Sequence, residues 1–246
     1  DLFAEDQLFE IDRWALKSCN SLTANVRAAY DNYDFSRAYH AIYNFCVIDM
    51  SNFYMDVIKD RLYCEGAESA TRCAQTALYR ILVDFTKLVA PILCFTAQEI
   101  WSYIPKLEGM QEYVCWERMP EAKSDEDAAF DAKWAKIIAV RDDVKKVLEQ
   151  ARADKIIGSS LEAAVTLYCS DEMYDFLNAI PMDELADLMI VSHVDLVKGE
   201  GGVRGLTEGL GMSVAHAAGN KCLRCWKFDT AVGEDGLCPR CAKVLG

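Results

Sequence analysis

The sequence is short of histidine, of positive charge and of long apolar runs. Only His40, His193 and His216 occur, too scattered to assemble a Ser/His/Asp or Cys/His catalytic group, so each reads as a packed or surface residue. No apolar stretch approaches the roughly 18 to 20 residues that cross a bilayer, and no charged-then-apolar leader opens the chain. The expectation is a cytosolic, non-membrane protein. Lys and Arg number 26 against 39 Asp and Glu, a formal net charge of −13, which excludes a surface that binds nucleic acid indiscriminately. The chain opens at Asp1 directly before helical sequence, without an initiator Met, and is expected to be a piece of a longer polypeptide.

At 246 residues, 52% hydrophobic and 26% charged, the chain has enough apolar mass for one large or two modest cores. Two domains and a small metal module are expected. The acidic balance is uneven: from Gly219 to Gly246 the cations Lys221, Arg224, Lys227, Arg240 and Lys243 face Asp229, Glu234 and Asp235, a net of +2 that leaves −15 for the rest. A basic module on an acidic body suits local contact with phosphate, and equally suits ordinary solvated lysines around a metal knuckle.

Eleven cysteines are present. Cys19, Cys46, Cys64, Cys73, Cys94, Cys115 and Cys169 lie singly within apolar runs and read as small core residues in a reducing compartment. The other four form two pairs, Cys222-Leu-Arg-Cys225 and Cys238-Pro-Arg-Cys241, twelve residues apart. Within each pair a turn points both thiolates at one ion, and the second pair closes a tetrahedral shell with no position left for water. Such a site is structural. Zinc suits the donor set, iron in a rubredoxin-like site is the alternative, and His216, six residues before Cys222, is a minor alternative ligand.

Ile11, Ala15, Cys19, Leu22, Val26, Ala29 and Tyr33 recur at steps of four and three, which predicts an amphipathic helix over 6–33. Second and third helices are expected over 35–63 and 67–89. Pro91 fits the first turn of a fourth, ending near Tyr103 before Pro105. Four helices joined by short turns make an antiparallel bundle. Periodicity fails between Pro105 and Asp127, where the domain boundary is placed, and Ser124 with Asp127 is read as boxing the start of a helix over 128–153. Beyond it, strand character at 163–169, 189–197 and 212–217 alternates with helices at 171–179 and 181–187, a small α/β unit. The glycine-rich stretches Gly199–Gly202 and Gly205–Gly211 read as turns without phosphate-binding spacing.

The segment Lys221-Cys-Leu-Arg-Cys-Trp226 with Leu237-Cys-Pro-Arg-Cys241 resembles the C-terminal zinc segment of bacterial isoleucyl-tRNA synthetases. Asp49-Met-Ser-Asn-Phe-Tyr54, Lys59-Asp-Arg-Leu-Tyr63, Ala74-Gln-Thr-Ala-Leu-Tyr79 and Ala90-Pro-Ile-Leu-Cys-Phe-Thr-Ala-Gln-Glu-Ile-Trp101 are similar to consecutive signatures of that family's anticodon-binding helical domain. Glu149-Gln-Ala-Arg152 and Ile157-Gly-Ser-Ser-Leu-Glu162 resemble its junction segment. The order is the family's own, and valyl and leucyl relatives share the helical half but end differently. Cys94 stands where the family often has Pro, Gln98 where it often has Glu, and the loop between the cysteine pairs is short. The family's His-Ile-Gly-His and Lys-Met-Ser-Lys-Ser adenylation signatures are absent from this chain.

The resemblance implies a mainly α fold: a helical anticodon-binding domain over 1–120, a small α/β junction domain over 121–218 and a zinc knuckle over 219–246. It implies one structural Zn2+ on Cys222, Cys225, Cys238 and Cys241, with ATP used only in a separate catalytic domain of the same polypeptide. The implied partner of this arm is the anticodon arm of isoleucine tRNA, bound by a monomeric enzyme. Arg224 and Trp226 would offer a donor fork and a stacking face to an unstacked base. Lys59 and Arg61 are candidates for backbone phosphates. The plain alternatives are that Trp226 packs on its own loop and that Lys59-Asp60-Arg61 makes local salt bridges.

Overall fold

The computed structural model describes residues 2–66, 68–124 and 127–246. The chain divides into two compact units, Asp1–Glu126 and Asp127–Gly246.

The first unit is helical. Helix α1, Glu10–Asp31, buries Ile11, Asp12, Ala15, Cys19, Leu22, Thr23, Val26 and Ala29, so the predicted stripe is the face it turns inward. Across from it packs α5, Glu68–Val89. That helix buries Ala70, Cys73, Ala74 and Ala77, and small residues on both sides let two helix backbones approach closely. Ala67, the expected start of this helix, lies outside the described residues.

The run expected as one helix over 35–63 is not uniform. It is α2, Phe35–Asn44, then a π-helical segment Phe45–Tyr54, then α3, Met55–Val57, and α4, Lys59–Tyr63. Met55 N–H donates to Met50 O, five residues back. Phe45 and Met50 are both buried, although a step of five in an α-helix would separate their directions by about 140°. The wider π turn brings both toward the core.

Pro91 is not in the first turn of the fourth helix, as expected, but in the corner before it. Ile92 N–H and Leu93 N–H both donate to Val89 O, at 3.0 and 2.8 Å, so the backbone finishes α5 with a tight turn and starts α6, Cys94–Tyr103, three residues after the proline. Trp101 of α6 is fully buried with Val89, Ala97, Ile104 and Val114, and its indole N–H donates to Gln111 O at 3.1 Å. The chain then returns along α1, where Arg27 donates to Met119 O and Pro120 O at 3.3 and 2.9 Å and Asn20 exchanges two hydrogen bonds with the backbone of Lys123.

The second unit begins with α7, Ala128–Ala153. Its cap differs from the expected box: Asp127 is itself the N-cap, its carboxylate accepting from Phe130 N–H at 3.0 Å. That geometry satisfies an orphan N–H of the first turn without Ser124. A four-stranded sheet follows in the order β2-β1-β4-β3, from β1 (Ala163–Cys169), β2 (His193–Lys198), β3 (Val203–Arg204) and β4 (Leu210–His216). Strand β1 runs parallel to β2 and antiparallel to β4. The parallel crossover carries α8 (Asp171–Asn178) and α9 (Met182–Met189). Ala163, Val165, Leu167 and Cys169 alternate into the core.

The strand expected from Met189 starts later, at His193. Helix α9 runs on to Met189 and closes with Ile190 in a left-handed conformation at φ 57°, its N–H donating to Ala186 O and Asp187 O. The hydrogen bonds of that C-terminal turn outweigh the β propensity of the apolar run. A buried carboxylate organises the opposite edge. Asp143 on α7 accepts from Thr207 N–H at 2.7 Å and from Lys146 Nζ at 3.1 Å. Burial opposes its ionisation, but these donors and Leu206 N–H prevail and hold the carboxyl at about 2. No described helix is long and apolar enough to cross a membrane.

Candidate metal centre and nucleic-acid interface

The four tail cysteines converge. All four are buried, and their Sγ atoms lie within 4.8 Å of one another. Cys225 Sγ and Cys238 Sγ are 3.8 Å apart, the edge expected of a sulfur tetrahedron around an ion with metal–sulfur bonds of about 2.3 Å. The donor set fits one zinc. His216 is not part of the cluster: its ring meets Phe228 edge-on at 4.9 Å and its Nδ1 lies 2.8 Å from Ala217 O.

Each pair is positioned differently. The first sits in a knuckle in which Trp226 N–H donates to Cys222 O and Cys222 N–H to Lys227 O, at 2.9 and 2.8 Å. The second opens α10, Pro239–Leu245, with Cys238 as N-cap and Pro239 in the first turn, where a missing N–H costs nothing. Cys238 N–H also donates to Cys222 Sγ at 3.3 Å. Burial pushes the Cys222 thiol up, but backbone N–H groups of Cys225, Cys238 and Arg224 outweigh it and bring the group down to about 6. Burial dominates at Cys225, pushed up to about 11, and raises Cys241 as well.

Between these ligands the backbone is forced into a conformation that side chains rarely accept. Trp226 has φ 66°, a left-handed geometry that is a true outlier for a bulky residue. The residue is 59% exposed, and Lys221 Nζ lies 5.4 Å from its ring centroid. The expected alternative is that Trp226 packs on its own loop or the neighbouring domain; Lys221 of the same loop lies over the ring, and more than half of the residue is exposed. Arg224 is half-buried. The knuckle also presents Leu223, 70% exposed. Lys221, absent from the sequence-derived set, was legible only as one more tail lysine.

The knuckle does not hang free of the α/β unit. A two-stranded ribbon, β5 (Asn220–Lys221) and β6 (Phe228–Asp229), carries it. Lys227 pairs with Asp187 of α9, and Phe228 N–H donates to Ser192 Oγ at 2.7 Å.

In the helical unit the two remaining candidates part company. Lys59 is exposed and pairs with Asp56 at 2.7 Å, one turn earlier on the surface. A solvent-exposed pair of this kind contributes little, so the ammonium can exchange its partner for a phosphate. Arg61 cannot. Its guanidinium closes on both oxygens of Asp12, at 2.5 and 3.1 Å, and lies 4.7 Å from the centroid of Phe9. Asp12 is fully buried and also accepts from Tyr54 Oη at 2.8 Å. The ion pair joins residues 49 apart, not the neighbours Lys59 and Asp60, and it commits Arg61 to the core.

Comparison with known proteins agrees with this geometry. The family described as the anticodon-binding domain of tRNA ligase matches residues 12–167, and a zinc finger found in FPG and IleRS matches 219–244. Isoleucine–tRNA ligases are similar along the whole chain. Those of Desulfitobacterium hafniense (strain DSM 10664 / DCB-2) and Syntrophotalea carbinolica are each 44% identical over 100% of the chain, covering 28% and 27% of the relative. That of Bacillus mycoides is 46% identical over 97% of the chain and 27% of its own length. The chain thus spans little more than a quarter of these relatives. The zinc finger match and the convergence of Cys222, Cys225, Cys238 and Cys241 support one structural zinc. With a matched helical region covering more than half of its residues, the chain belongs to the family of anticodon-binding domains of tRNA ligases and corresponds to the C-terminal part of its isoleucine members.

Proposed function

We propose that this chain is the tRNA-recognition arm of an isoleucine–tRNA ligase, the enzyme that joins isoleucine to its tRNA at the expense of ATP. Adenylation and proofreading belong to the rest of that polypeptide, and the segment itself is catalytically inactive. In this reading residues 1–120 engage the anticodon arm, 121–218 are the junction, and 219–246 are the zinc-held reading head of a monomeric, cytoplasmic enzyme. The observation that carries the reading is Trp226: an exposed residue held at φ 66° by the turn between zinc ligands. Strain of this kind persists only where the surroundings over-determine it, here through the knuckle hydrogen bonds and the metal.

The chemistry follows from those groups. Zinc supplies ordering energy to a loop too small to fold by apolar burial. Trp226 then offers one ring face for an unstacked base, worth roughly 1 to 3 kcal/mol. Lys221 stands on the same knuckle to meet phosphate or base edges, Arg224 can join it only by drawing its buried Nη1 out of the loop, and Lys59 adds a cation on the helical unit. Arg61 is withdrawn from the RNA contacts because Asp12 holds it. On an acidic chain such cations are few on either unit, so binding is weak and salt-sensitive. The test is a binding titration at low salt with isoleucine tRNA and an unrelated tRNA; equal affinities would overturn the reading. Unchanged aminoacylation in a full-length Trp226→Ala enzyme would favour a scaffold that does not touch RNA.

A further inference from the structure

Helix α2 packs on α1 and the π segment but leaves most of its circumference exposed. Of its ten residues only Ala38 is buried, although the sequence Phe-Ser-Arg-Ala-Tyr-His-Ala-Ile-Tyr-Asn is rich in large apolar groups. Phe35, Tyr39 and Tyr43, together with Tyr33 before the helix and Ile48 after it, are each more than half exposed. The ring contacts run along the helix and onto α1: Tyr39 lies 6.1 Å from Tyr43 and 5.3 Å edge-on from His40, and Phe35 lies 6.0 Å from Tyr30 of α1. With half of each large side chain uncovered, the ridge exposes on the order of 500 Å² of apolar surface. That is the size of the largest patch on a typical monomer, about 300 to 600 Å², which is often an interaction site.

The charge around the ridge selects the class of partner. Arg37 is the one cation of α2 besides the titratable His40, and Asp34 caps the helix N-terminus. Nucleic acid is held by lysines and arginines on its phosphates, and this face does not supply them. A protein surface with apolar pockets does fit. The relatives extend over more than three times the length matched here. We infer that the α2 ridge, Phe35, Tyr39 and Tyr43 with Tyr33 and Ile48, docks on the catalytic body of the same polypeptide and fixes the helical unit against it. This rests on the tRNA-ligase reading above.

The experiment is hydrogen exchange on the full-length ligase and on this chain alone, without tRNA and then with it, read at the amides of 35–48. Full-length enzyme without tRNA should exchange at least ten-fold more slowly there than the isolated chain, and Tyr39→Glu/Tyr43→Glu should abolish the difference while leaving isoleucine-dependent ATP–pyrophosphate exchange intact. Protection that appears only with tRNA would overturn the proposal in favour of an RNA surface. Concentration-dependent protection of the isolated chain, accompanied by a dimer in sedimentation, would overturn it in favour of self-association. Equal exchange in all samples would overturn it outright. A full-length enzyme that fails to charge isoleucine tRNA would signal failure of the family reading instead, because wild-type charging is measured on the same preparation.

Discussion

Replacing Asp12 by Ala should destabilise the helical unit more than any single surface change. The carboxylate is fully buried, Arg61's side chain is 13% exposed, and Tyr54 Oη donates to the same oxygen that receives Arg61 Nη2. Two losses combine: the hydrogen bond from Tyr54, and a guanidinium left without its counter-charge over Phe9. Removing one member of a buried ion pair costs about 3 to 5 kcal/mol, a large part of the 5 to 15 kcal/mol that holds a typical domain. With a urea dependence of about 2 kcal/mol per molar, the midpoint of the first unit should fall by roughly 2 M. Far-UV circular dichroism during urea titration reads it, and the second unit's transition provides the internal control. Arg61→Lys should not rescue, since one ammonium cannot reproduce the two-pronged contact. The triple change Asp12→Leu/Arg61→Met/Tyr54→Phe should recover most of the loss, because an apolar replacement leaves no charge stranded. An Arg61→Ala variant with an unmoved midpoint and weakened tRNA binding would refute the reasoning and return Arg61 to the RNA surface.

Chelation, or Cys238→Ser, should unfold 219–246 and leave most of the helical dichroism in place; loss of the whole helical signal would show that the units fold as one. Trp226→Gly should relieve the left-handed strain and strengthen metal retention by about 1 kcal/mol, measured by competition with a chelator, while lowering tRNA affinity. Asp143 sits at about 2 in the folded chain and near 3.9 unfolded. Its contribution of about 2 to 3 kcal/mol is complete above about pH 5 and is lost progressively as pH falls toward 1. An Asp143→Asn variant should therefore show a flatter stability profile between pH 4 and 2 than the parent, read by thermal melts; parallel profiles would contradict the assignment.

What could be read in the sequence was local and periodic. The α1 stripe and the two cysteine pairs are patterns within a few turns of chain, and each converts directly into a face or a knuckle. The Asp12–Arg61 pair joins positions 49 apart by side-chain reach, and no spacing announces it. The π segment escaped because its step of five reads as an irregular α stripe unless the burial of Phe45 and Met50 is known. Helix α10 carried a usable signal, Pro239 directly after Cys238, but at seven residues it is too short for periodicity to register. The left-handed positions of Ile190 and Trp226 run against residue preference, so propensity pointed away from both.

Ser192 has a consequence beyond its own segment. Its hydroxyl donates to Leu161 O and receives Phe228 N–H, so one oxygen couples the entry to β1, the entry to β2 and the zinc ribbon. In the proposed role, the zinc knuckle is therefore anchored to the α/β unit before RNA arrives. A tethered finger would lose its orientational freedom on each binding event, whereas this one surrenders it once, on folding. Ser192→Ala, which removes none of the four cysteines, should then slow tRNA association and weaken binding without altering zinc content.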